Sequence, residues 1–97
     1  MEIKIHSNRV TIEGNMKSID DLQKIKSEVD KLTLSHKEIY IEIVDSLSIT
    51  SSIIGYFNRL ILQDNIKIHL LAKSEQLLLL LEDLGLAETF RAKRLSK

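Results

Sequence analysis

Apolar and polar residues alternate with a period of two at the start of the chain. Ile3 and Ile5 stand between Glu2, Lys4 and His6, and Val10 and Ile12 stand between Arg9, Thr11 and Glu13. The Ser7-Asn8 pair between the two runs is turn chemistry, so the pattern predicts a β-hairpin with one wet face, closed by Gly14-Asn15. From Ser18 the period becomes helical: Ile19, Leu22, Ile25, Val29 and Leu32 fall on one side, and Lys24, Lys26, Glu28 and Lys31 on the other. Ser18 is the expected N-cap and Asp21 its capping-box partner.

Glu38 to Val44 is β-prone and mostly apolar, which predicts a central strand covered on at least one face. A polar connection, Asp45 to Thr50, leads to a second helix capped by Ser51 or Ser52, whose buried stripe is Ile53, Ile54, Phe57, Leu60 and Ile61. Ile66 to Leu71 reads as another strand. Lys73-Ser74 opens a third helix carrying the Leu77–Leu81 run and Leu84, and Gly85 followed by Leu86 matches a Schellman ending. Ala87 to Arg91 adds one short helical turn. The predicted order is β-β-α-β-α-β-α. Strands separated by helices favour right-handed parallel crossovers, so the fold class is α/β, with a single mixed sheet and helices packed mainly on one face.

The chain has 97 residues, enough for one domain, residues 1–97. Its 43% hydrophobic and 29% charged content is ordinary for a globular protein. The formal net charge is zero, which argues against nucleic acid as a partner; the basic residues Arg91, Lys93, Arg94 and Lys97 read as a flexible, solvated tail over residues 91–97. With no cysteine, disulfides, thiolate metal sites and cysteine nucleophiles are excluded, and a cytoplasmic setting is expected. Met1 leads straight into a charged strand pattern rather than a secretory signal, and the longest apolar run, Leu77 to Leu81, is too short for direct membrane insertion.

Motifs for catalysis are missing, so no catalytic residue, cofactor or metal site is assigned and the sequence points away from an enzyme. The glycines Gly14, Gly55 and Gly85 are too far apart for a phosphate loop, and His6, His36 and His69 lack metal-ligand spacing. His6 and His69 fall on the polar phase of their strands and are expected in solvent. The acidic pairs Asp20-Asp21 and Glu82-Asp83 read as surface residues at helix ends. The distinctive segment is Ser48-Ile49-Thr50-Ser51-Ser52-Ile53-Ile54-Gly55, which joins a strand to a helix N-terminus. Its hydroxyls suit capping, and one of them suits phosphorylation. A phosphate of roughly −1.5 to −2 charge is welcome at a helix N-terminus, yet costly beneath a packed partner.

In element order and in three segments the chain resembles a STAS domain, the fold of bacterial anti-sigma-factor antagonists. The segments are Ile41-Glu42-Ile43-Val44 running on to Thr50-Ser51-Ser52, then Ile66 to Leu71, then Leu84-Gly85-Leu86 followed by Phe90. Glu42 and Thr50 fall where the family has two aspartates, Ser51 and Ser52 match its serine pair, and Gly55 its second glycine; Ile53 replaces the first glycine. The resemblance implies a partner-switching regulator of transcription, bound by a serine kinase that is also an anti-sigma factor. The kinase would modify Ser52 (Ser51 as second choice), and a phosphatase would restore binding. The implied partner-binding residues are Thr50, Ser51, Ser52, Ile53, Tyr56, Phe57 and Arg59. The alternative, given Thr50 and Ile53, is a non-phosphorylated adaptor subunit of a membrane lipid-transport ATPase. A nucleotide- or lipid-binding sensor ranks behind both.

Overall fold

The computed structural model describes residues 1–16 and 18–95. Its elements are β1 (Glu2–His6), β2 (Arg9–Glu13), α1 (Ile19–Thr33), β3 (Glu38–Ile43), α2 (Ser51–Leu62), β4 (Lys67–Ala72), α3 (Glu75–Asp83) and β5 (Lys93–Arg94). They form one mixed five-stranded sheet in the order β1-β2-β3-β4-β5. β1 and β2 are the antiparallel hairpin, and β2, β3, β4 and β5 run parallel. The expected α/β class and single mixed sheet are therefore what the chain adopts. Part of the segment read as a basic tail is instead the edge strand β5; residues 96–97 of that tail lie outside the described residues.

Strand register explains the layering. Val10 and Ile12 lie opposite Ile41 and Ile43, which lie opposite Leu70 and Ala72. Side chains alternate along each strand, so these residues, with Ile39 and Ile68, make one unbroken apolar face, fully buried. The buried helix residues Ile25 and Val29, Ile53, Phe57 and Leu60, and Leu77 and Leu81 belong to the same core. Phe90, in the turn after α3, meets Phe57 edge-on, with ring centroids 6.0 Å apart. The helices thus cover one face. The other face, built from Arg9, Thr11, Tyr40, Glu42, His69 and Leu71 in cross-strand register, is polar apart from Leu71.

Helix ends follow local chemistry. Ser18 and Asp21 make the full capping box of α1, with bonds of 3.1 and 3.2 Å. Ser74 caps α3, and α3 closes in a Schellman motif: Leu86 N–H donates to Leu81 O and Gly85 N–H to Glu82 O, with Gly85 at φ +72°. Ile19 departs from its expected place on the buried stripe of α1. It is 76% exposed, because in the first turn of α1 it lies beyond the edge of the core.

Two loops at the same end of the sheet are tied together. Ser46, buried after β3, accepts the N–H of Met16 at 3.1 Å and donates to the carbonyl of Gly14 at 3.1 Å. Gly14 N–H donates to Asp45 at 2.8 Å, and Ile49 anchors the loop in the core. This clamp fixes the approach to α2. Ser46→Ala strands a buried N–H and is expected to cost about 1–3 kcal/mol, measured as a lowered urea midpoint at unchanged slope.

Candidate functional site

Thr50, rather than either serine, is the N-cap of α2. Its backbone is extended, and its hydroxyl accepts the N–H of Ile53 at 3.3 Å. The expected cap at Ser51 or Ser52 is thereby corrected: the β-region backbone that a cap needs falls one residue earlier, and the serines become the first two residues of the helix. Both are exposed. Since Thr50 performs the capping, neither serine hydroxyl is needed for it.

Ser52 lies on the side of α2 that faces α1. On one side it borders a shallow depression of about 100 Å³ with Ser18, Ile19, Leu22 and Thr50. On the other it borders one of about 180 Å³ with Leu22, Lys26, Gly55, Tyr56 and Arg59. Lys26 and Arg59 lie over the Tyr56 ring, 5.8 and 5.5 Å from its centroid. The Tyr56 hydroxyl donates to Asp30 Oδ1 at 2.5 Å. Burial, and secondarily the bond to Asp30, push the phenol well above the usual tyrosine range. α2 has no acidic residue in its first turn, whereas α1 has Asp20 and Asp21 and α3 has Glu75. The positive end of its dipole carries no neighbouring countercharge on the helix itself.

Of the residues expected at the partner surface, Thr50, Ser51, Ser52 and Arg59 are reachable from solvent. Ile53 and Phe57 are not: both are core residues, placed on the sheet side of α2 by its 3.6-residue period, and Tyr56 is largely buried against α1. The accessible site is therefore a hydroxyl ridge flanked by Ile19, Leu22, Lys26 and Arg59. Leu22 packs against the core, as its place on the stripe predicts, and also borders Ser52; Ile19 and Lys26, which local pattern does not point to, come to the same place because α1 packs beside α2.

The open sheet face pairs its own charges. Glu42, buried, is held by Arg9 and by the Thr11 hydroxyl at 2.8 Å, and Arg9 lies 5.1 Å from the Tyr40 ring centroid. His69 stacks on Tyr40 with centroids 4.5 Å apart, and its Nε2 lies 2.6 Å from Glu38, whose carboxyl this bond holds below the usual range. The expectation that His69 is solvated is corrected: Tyr40 and Glu38 leave its side chain 22% exposed.

Among the described residues no three histidine, aspartate or glutamate side chains converge as a metal site, and no helix is long and apolar enough to cross a membrane. Comparison of the chain with family models, with curated proteins and with solved structures found no match.

Tyr56 links stability to pH through its raised pKa. The folded state holds the phenolic proton more tightly than the unfolded chain, so this stabilisation is complete below the unfolded value and fades as pH rises beyond about 10. Tyr56→Phe removes one hydrogen bond and is expected to cost about 1 kcal/mol at neutral pH. Its deficit relative to wild type should shrink above that pH in paired denaturation curves.

Proposed function

We propose that this chain is a protein-interaction module of the STAS type, switched by phosphorylation of Ser52 and working in the cytoplasm as a regulator rather than an enzyme. The observation that carries the reading is the division of labour at the mouth of α2: Thr50 caps the helix, and Ser51 and Ser52 are left exposed in its first turn. A phosphate on Ser52 would meet the positive end of a dipole that has no acidic residue in its own first turn, which favours it by about 0.3–1 kcal/mol. Lys26 and Arg59 line the same depression. The folded domain accepts the added charge. A partner seated over the ridge has to bury it, at a cost of several kcal/mol unless it supplies a cation of its own. Fold and interface thus respond with opposite sign, as a switch requires.

The implied partners are a serine kinase acting as an anti-sigma factor and a phosphatase. The adaptor reading draws support from one specific feature: Thr50 carries no charge and is committed to capping, so the segment lacks the acidic residue that the family presents before its serine pair.

Purification of the tagged chain from its native cells, followed by intact-mass analysis, separates the two. The switch predicts one phosphate, on Ser52, only in the fraction free of the kinase. Ser52→Asp is expected to weaken kinase binding by about tenfold or more, equivalent to roughly 1.4 kcal/mol, while Ser52→Ala binds as wild type. Recovery of a stoichiometric transport ATPase subunit with unmodified Ser52 would instead establish the adaptor.

A further inference from the structure

Another depression lies away from Ser52, between the β3–α2 loop and α3. It encloses about 640 Å³, with Leu47, Leu79 and Leu80 as its apolar wall and Glu75 and Asp83 on its rim. Leu47 and Leu79 are each 54% exposed. The period of α3 turns Leu77 and Leu81 to the core and leaves Leu79 outside. Leu47 is held outward by its neighbours, because Ser46 is clamped to the β2–α1 connection. The two leucines face the groove from separate, positioned elements, so the apolar wall exists before anything binds.

Charge selects the occupant. α3 carries Glu75, Glu82 and Asp83 and no lysine or arginine. Glu82 and Asp83 lie in its last turn, where the negative end of the dipole disfavours carboxylates, and neither makes an ion pair among the described residues. Among the described residues Glu75 pairs with Arg94 alone, at 3.8 Å, with both side chains mostly exposed. A cationic group arriving at this rim relieves an existing repulsion. An acidic helix or an anionic lipid surface increases it.

We propose that this groove receives a cationic amphipathic helix of a partner protein. Apolar side chains at helical spacing would enter between Leu47 and Leu79, and Lys or Arg residues would meet Glu75 and Asp83. The inference does not depend on phosphorylation of Ser52, which is not part of the groove.

The test uses two synthetic helical peptides with the same leucine pattern, one with a lysine polar face and one with a glutamate polar face, titrated into the isotope-labelled chain and followed by amide chemical shifts. The lysine peptide is expected to bind saturably, more weakly as salt rises, with shifts centred on Leu47, Leu79 and Leu80; the glutamate peptide is expected not to bind. Leu79→Lys and Asp83→Lys, both at solvent-exposed positions, should each weaken binding by about tenfold or more. Lys31→Ala on α1 should leave it unchanged. Equal affinity for the two peptides, no saturable binding of the lysine peptide, shifts centred elsewhere, or pairing of free chains through Leu79 on a sizing column overturns the proposal.

Discussion

Parallel register across β2, β3 and β4 is the constraint on which the molecule rests. Ile41 is flanked by Val10 and Leu70, and Ile43 by Ile12 and Ala72, so apolar residue meets apolar residue across the middle of the sheet. Each fully buried aliphatic side chain contributes about 1.5–3 kcal/mol relative to exposure. A slip of one residue would turn these side chains to solvent and drive Arg9, Glu42 and His69 beneath the helices. Register also decides where β3 ends, which sets the Ser46 clamp and hence the position at which α2 begins.

The two sheet faces solve different problems. The covered face is held by packing and makes no use of charge. On the open face Arg9 and Thr11 hold Glu42, and His69 meets Glu38 while stacking on Tyr40. Buried side-chain polar atoms lacking a partner are absent among the described residues. On the helix side, by contrast, the Ser52 ridge and the groove beside α3 turn hydroxyl, apolar and acidic side chains to solvent.

Most of the architecture was legible from periodicity. The hairpin, the three helices, both central strands, the Ser18 capping box and the Gly85-Leu86 ending all follow from local patterns, because local sterics and hydrogen bonding decide them. β5 was not legible: two basic residues carry no strand signal, and β4 recruits them by pairing Leu71 with Lys93 and Ala72 with Arg94. At the candidate site, a serine pair near a helix start was visible, but which hydroxyl caps was not, since that depends on the backbone angles of one residue. The difference between Phe57 and Arg59 as surface residues was open to a stricter use of the helical period. So was Leu79: successive residues on a helix advance by about 100°, so a run of five leucines, Leu77 to Leu81, cannot all face one core.

The margins of the sheet carry a last consequence. At one margin β1 presents Glu2, Lys4 and His6 to solvent, with Lys4 held between Glu2 and Glu13; at the other, β5 spans only Lys93 and Arg94. Short or charged borders discourage a foreign strand from extending the ladder. Association by strand addition is therefore disfavoured at both margins, which leaves the side chains of the helical layer and of the open sheet face as the surfaces a visiting protein can engage. The same bluntness works against copies of the domain adding strand to strand into fibres.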